Sequence, residues 1–323
     1  MNRRYLLQAG IAGGSLLLAG RLRAQAFPSR PVRIIVPFAA GGPTDIMARS
    51  LSQKMGDALG QSVVVDNRPG GGSQIAAAAL KQSAPDGHTV FIADIGAFAI
   101  NVSLYQNLSY DPVKDFQPLT LLMSAPIVLL VRSDSPIKSL REMVAMTKAG
   151  RALTMASQGI GTGGHLMLEM MKSAAAIEIN HVPYKGSAPA MQDVIGGQVD
   201  ALFDVLPSAL AQVQAGRARV IAIGSSRRVA ALPDVPTTAE LGYAEVSMDA
   251  WFAAVTAAGT PDPVVRRLSA EMGRAMRDPV VNKRFVDNGW SVEPGTPEQL
   301  GALMKSETEK WGAVVRRSGA RAD

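Results

Sequence analysis

Past residue 26 the chain alternates short apolar runs with amphipathic stretches. Val32–Val36 is rich in β-branched residues and lies between Pro31 and Pro37, which predicts a buried strand. Over 44–59, Met47, Leu51, Met55 and Leu59 recur every fourth position, the apolar face of an amphipathic helix. A strand at 63–65 follows, then a loop opened by Gly70-Gly71-Gly72 and an alanine-rich helix over 75–83. Pro85-Asp86-Gly87 is a turn, and 89–93 a further strand. Strands separated by helices predict a parallel α/β sheet.

The order then starts again. Strands predicted at 127–132, 153–156, 178–182, 199–205 and 220–223 alternate with helices at 140–149, 165–172 and 188–195, a second α/β unit of similar size. An apolar run at 251–256 precedes helices near 263–277, 279–287 and 297–317. These lack the strands for a third domain and are expected to pack on the first. The chain would cross between units twice, near 124–132 and near 249–255, which suits a hinge. The expected domains are 27–125 with 252–323, and 126–251.

The first 26 residues follow another pattern. Arg3 and Arg4 precede an apolar stretch over 6–19, and Ala24-Gln25-Ala26 supplies an A-x-A site. That is a cleavable export signal, leaving Phe27 as the first mature residue. The stretch holds 14 residues, three of them glycine, against the roughly 20 apolar residues that span a membrane. The Arg3-Arg4-x-Leu-Leu order also fits a twin-arginine signal. The mature protein is expected in the periplasm.

Composition narrows the classes. Hydrophobic residues at 47% fill real cores, and 323 residues suit two domains. Cysteine is absent, so disulfide scaffolds and thiol catalysis are excluded. The net charge of +6 misleads, because Arg3, Arg4, Arg21 and Arg23 all lie in the signal, and without them 29 basic residues face 27 acids. A body so nearly neutral, with 5% aromatics, has no footprint for nucleic acid and no base-stacking platform.

Three strand ends can carry chemistry. Phe38-Ala39-Ala40-Gly41-Gly42-Pro43-Thr44-Asp45 leaves a strand and enters a helix. Its glycines let backbone approach a ligand, and the N–H groups and dipole of a helix start favour an anion. Pro43 suits the first helical position and Asp45 a capping arrangement, so a plain capped turn reads equally well. Ser157-Gln158-Gly159-Ile160-Gly161-Thr162-Gly163-Gly164-His165 repeats the arrangement in the second unit. Two such helix starts facing across a cleft predict a small anion, most simply a carboxylate. The third is Asp204, at the end of the 199–205 strand, where ligand crevices of open α/β sheets lie. Its alternative role is to cap a helix starting near Pro207.

Other chemistry is thinly represented. Gly159, Gly161 and Gly164 fit G-x-G-x-x-G, but Glu178 falls near the start of the next strand, not the end where a ribose-binding acid belongs. His165 and Glu169 are too few to hold a metal. Walker lysine, G-x-S-x-G elbow and H-E-x-x-H are all missing from the sequence. No cofactor, metal or catalytic set is expected.

With these loops in place the chain resembles the extracytoplasmic solute receptors of tripartite tricarboxylate transporters, the Bug receptors. The matching segments are Val36-Pro37-Phe38-Ala39-Ala40-Gly41-Gly42-Pro43-Thr44-Asp45 with Ala48-Arg49, Val65-Asp66-Asn67-Arg68-Pro69-Gly70 and Ala84-Pro85-Asp86-Gly87. Further on come Gly161-Thr162 with His165-Leu166, Val182-Pro183-Tyr184-Lys185-Gly186, and Gly196-Gly197-Gln198-Val199-Asp200 leading to Phe203-Asp204. The resemblance implies an α/β, two-domain periplasmic-binding-protein fold of type II, a Venus flytrap with two interdomain crossovers. It implies a ligand carboxylate held between the loops at 38–45 and 157–165, partly through water and without an arginine anchor, with Asp204 at the cleft. Gln158, Ser73-Gln74-Ile75-Ala76 and Ala97-Phe98 depart from the usual pattern at positions that border the cleft in the family.

The expected function is therefore that of a receptor, acting as a monomer, that captures a small organic carboxylate and delivers it to large and small membrane transporter subunits. The expected ligand-binding residues are Phe38, Ala40, Gly41, Gly42, Thr44, Asp45, Gln158, Gly159, Gly161, Thr162, His165 and Asp204. The alternatives are an exported enzyme with Asp204 or His165 as general base, and a sensor for a membrane signalling partner.

Overall fold

The computed structural model describes residues 27–322, so the export signal expected over 1–26 lies outside the described residues. The strands are β1 (Val32–Val36), β2 (Val63–Asn67), β3 (Thr89–Asp94), β4 (Phe116–Arg132), β5 (Thr154–Ser157), β6 (Asn180–Pro183), β7 (Ala201–Val205), β8 (Ala218–Gly224), β9 (Asp249–Ala257) and β10 (Ser291–Val292). They join in the order β2-β1-β3-β9-β4-β7-β5-β6, with β8 and β10 each paired to β4.

One strand holds the sheet together. From Phe116 to Pro126, β4 runs antiparallel to β9; from Ile127 onward it runs between β7 and β8. The sheet thus has two wings. In the first, β1 pairs parallel with β2 and β3. In the second, β5 pairs parallel with β6 and β7. The chain passes between wings inside β4 and again over 225–248, between β8 and β9.

Strand β4 begins eleven residues before the expected strand at 127–132. Pro118, Thr120, Ser124 and Pro126 interrupt its apolar run, so no strand pattern shows there. The sheet absorbs the interruptions through register shifts between Pro118 and Thr120 and between Leu121 and Met123, as bulges do.

Helix Pro43–Leu59 buries Met47, Leu51, Met55 and Leu59, the predicted face. Its chain ends in Gly60 with a left-handed backbone, the usual helix stop. The late helices Asp262–Arg277 and Pro297–Ser318 both pack on β4; the first also meets helix Pro43–Leu59, the second the helical turns over 96–104. Phe98 stacks on Trp251 with ring centroids 6.0 Å apart and meets Phe91 and Phe116 edge-on. It is a core residue, fully buried. Among the described residues no helix is long and apolar enough to cross a membrane.

Candidate ligand-binding site

The carboxyl ends of β1, β3, β5 and β7 and the loop after β6 meet around one cavity. Phe38, Gly42 and Thr44 reach it from the first wing, and Gln158, Ser187 and Asp204 from the second. Its water-accessible volume is about 30 Å³, room for roughly two water molecules. Ile127, from β4 which joins the wings, and Phe252, from β9, give it an apolar wall. A larger groove of about 460 Å³ lies beyond Gly42 and Ser187, and its lining includes neither Asp204 nor Gln158.

The wings touch around this cavity. The Ala39 amide donates to the Lys185 carbonyl at 2.7 Å, joining the loop after β1 to the loop after β6. Gly161, after β5, lies against Asn101 and Gly96 of the first wing, so close that a Cβ there would collide with Asn101 Oδ1. Its φ of +84° is also a backbone state that favours glycine. Both features explain why this loop is built from glycine.

Asp45 holds the first loop from behind. Its carboxylate accepts from the Gly41 amide and from Arg49 Nε, each at 2.9 Å. Burial raises its pKa, but these donors outweigh burial and hold it below the usual value. Thr162 caps helix Gly163–Ala175, and its hydroxyl donates to the Gly159 carbonyl at 2.8 Å and to Gln158 Oε1 at 3.2 Å. His165 stacks on His181 at 4.5 Å, and its Nδ1 accepts from the Gly161 amide at 3.3 Å. Burial pushes His165 down to about 4, helped by Lys172, and burial likewise takes His181 to about 4. Both rings are neutral at pH 7 and serve to shape the second loop.

Asp204 is buried and well partnered. The Ser187 hydroxyl lies 2.6 and 2.7 Å from its two oxygens, Gln158 Nε2 donates at 2.9 Å and the Val205 amide at 2.8 Å. Burial lifts its pKa to about 6 against the pull of those donors. The helix that follows starts at Leu206 with Val205 as its cap residue, and no side chain caps it, so Asp204 has no capping role.

Of the residues singled out in the sequence, Phe38, Gly42, Thr44, Gln158 and Asp204 line the cavity. Asp45, Gly159, Gly161, Thr162 and His165 stand behind it, holding loops, while Ala40 and Gly41 are exposed. Phe98, expected at the cleft border, sits in the aromatic core instead, because its strand end turns into the helical segment Gly96–Ile100 that buries it. Asp94 and Ser187 line the cavity and went unnoticed in the sequence, and Gly163 and Gly164, named there only as part of the second loop, line it as well. Asp94 had a signal: like Asp204 it is the acid near the carboxyl end of an otherwise buried apolar strand. Among the described residues no three His, Asp or Glu side chains group to hold a metal.

A shared sheet whose two wings are joined by one long strand, with the chain passing between them twice and a cavity at the strand ends, defines a periplasmic binding protein. Periplasmic binding protein BugD superposes with a TM-score of 0.88 at 35% identity, covering 92% of this chain and 100% of that one. The family model described as tripartite tricarboxylate transporter family receptor matches residues 47–320, and the chain belongs to that family. Protein BugT of Bordetella pertussis is 35% identical over 320 residues, 98% of each chain. MatC from Rhodopseudomonas palustris, solved with bound malate, is 34% identical with a TM-score of 0.86, covering 90% of this chain and 100% of that one.

Proposed function

We propose that this protein is a periplasmic receptor that captures a small carboxylate and hands it to the large and small subunits of a membrane transporter. The observation that carries this reading is the cavity between two glycine-rich helix starts, Pro43–Leu59 in one wing and Gly163–Ala175 in the other. Backbone N–H groups and helix dipoles there favour an anion, and none of the residues lining the cavity is basic. The malate bound to MatC supports the same ligand class. In this reading residues 27–125 with 252–323 form one domain and 126–251 the other, and ligand access requires the Ala39–Lys185 contact to part. Residues 1–26 act as a cleaved export signal and the mature chain starts at Phe27.

A thermal-shift and calorimetry screen over mono-, di- and tricarboxylates tests the reading. A ligand at 100 times its dissociation constant adds about 2.7 kcal/mol to stability, which raises the melting temperature by several degrees for a domain of ordinary size. Saturable binding of a carboxylate without turnover is the expected result. Conversion of the acid to product, or no binding by any acid, would overturn it.

A further inference from the structure

The groove beyond Gly42 and Ser187 has a chemistry of its own. One wall is formed by helices Pro43–Leu59 and Pro279–Val286, the other by helices Ser187–Gly196 and Leu206–Gln214. Gly42, Pro43 and Ser187 border both spaces, but Asp94, Gln158 and Asp204 are absent from the groove, so it is distinct from the strand-end cavity. Ile46, Met191, Ile195, Phe285 and Trp290 give it apolar walls. Its volume of about 460 Å³ falls within the roughly 300–1,000 Å³ of small-molecule sites. The charged side chains that line it are Arg217 and Arg284, and no acid does. Among the described residues neither arginine side chain has a hydrogen-bond or ion-pair partner. The acids beside the groove in sequence are engaged elsewhere: Asp45 by Arg49, Asp193 by Tyr184 and Asp287 by Lys283.

Two unpaired guanidinium groups beside an apolar surface suit a molecule with the same two parts. We propose that the groove is a second ligand site, which takes an anionic amphiphile: an alkyl or aryl body carrying a carboxylate, sulfate or phosphate group. The body covers Ile46, Met191, Ile195, Phe285 and Trp290 and removes their apolar surface from water. The anionic group pairs with Arg217 and Arg284, whose planar donor forks match oxyanions. With no acid in the lining, nothing there repels that group or competes for the arginines. A small polar acid would leave the apolar walls wet, and an uncharged hydrocarbon would leave the arginines unpaired. Residues 1–26 carry the wrong charge to fill the groove themselves, with Arg3, Arg4, Arg21 and Arg23 and no acid. The inference goes beyond the carboxylate-receptor reading and does not depend on it.

Calorimetry on the purified protein tests this with four probes of one chain length: octanoate, octyl sulfate, octyl phosphate and uncharged 1-octanol, all below micelle-forming concentrations. At least one of the anions should bind saturably and about tenfold or more tightly than 1-octanol, since bonds to charged groups are the stronger ones. The double variant Arg217→Gln with Arg284→Gln should cut that preference to under about threefold, with thermal melts confirming that it is folded. Equal binding of 1-octanol and the anions by the wild-type protein overturns the proposal, because the arginines then select nothing. An undiminished preference in the folded double variant also overturns it, because the anion is then held elsewhere, the strand-end cavity included. Failure of all three anions to bind saturably overturns it as well. None of these results touches the receptor reading, which stands or falls on the screen of mono-, di- and tricarboxylates described above.

Discussion

Replacing Asp94 by asparagine should stabilise the ligand-free protein, and the gain should depend on pH. The carboxyl titrates at 3.8 in the unfolded chain, and burial lifts it to about 7 in the folded one, against the pull of the nearby amides of Ala97, Asp94 and Gly96. Below pH 3.8 the group is neutral in both states. Between there and pH 7 the unfolded chain has released its proton while the folded chain keeps it. Stability then falls as pH rises, by about 1.4 kcal/mol per unit. Above pH 7 the loss levels off at a value on the order of 4 kcal/mol. Asparagine has the same shape and does not ionise, so Asp94→Asn should gain roughly 2–4 kcal/mol at pH 8 and almost nothing at pH 4. Urea denaturation of wild type and variant without ligand at pH 4, 6 and 8 measures the difference. His165 and His181 titrate in both proteins and cancel from it. A gain of the same size at pH 4 and pH 8, or a loss at pH 8, would refute the argument that burial of this charge is costly.

Three further outcomes follow from the same contacts. His165 is neutral when folded and titrates at 6.5 when unfolded, so its contribution is complete above pH 6.5 and is lost as pH falls toward 4; over that range wild type should lose about 3 kcal/mol more than His165→Gln, and parallel urea profiles would contradict this. Asp45→Ala leaves the Gly41 amide and Arg49 without their acceptor, so unfolding stability should drop by about 1–3 kcal/mol, read from denaturation midpoints. A side chain at Gly164 would strike Gln158 Oε1 and the Phe203 carbonyl; Gly164→Val should cost at least a hundredfold in calorimetric affinity, whereas Thr162→Ala, which gives up hydroxyl bonds to Gly159 and Gln158, should cost less than tenfold, and equal losses would argue against backbone approach at this loop.

Much of the fold was legible because its signals are local. The four-residue spacing of Met47, Leu51, Met55 and Leu59 depends only on helix geometry, and those residues are the buried face. The segment 116–126 was not legible, since its prolines and polar residues conceal a strand that only pairing with β9 sustains. Residues 291–292 form a strand for the same reason: they pair with Met123 and Ser124, far away in sequence.

The site divides along the same line. By itself the sequence determined which loops leave strands and enter helices, that glycine lets their backbones come close, and that Asp204 stands at a strand end. A backbone's freedom and a strand's period are properties of neighbouring residues. Which of two strand-end acids gains side-chain donors was decided only by the tertiary structure. Ser187 and Gln158, 17 and 46 residues from Asp204, come to its carboxylate and not to that of Asp94. The energy of a buried charge depends on the donors packed against it and on the water shut out around it, and both are set by parts of the chain that meet only when it folds.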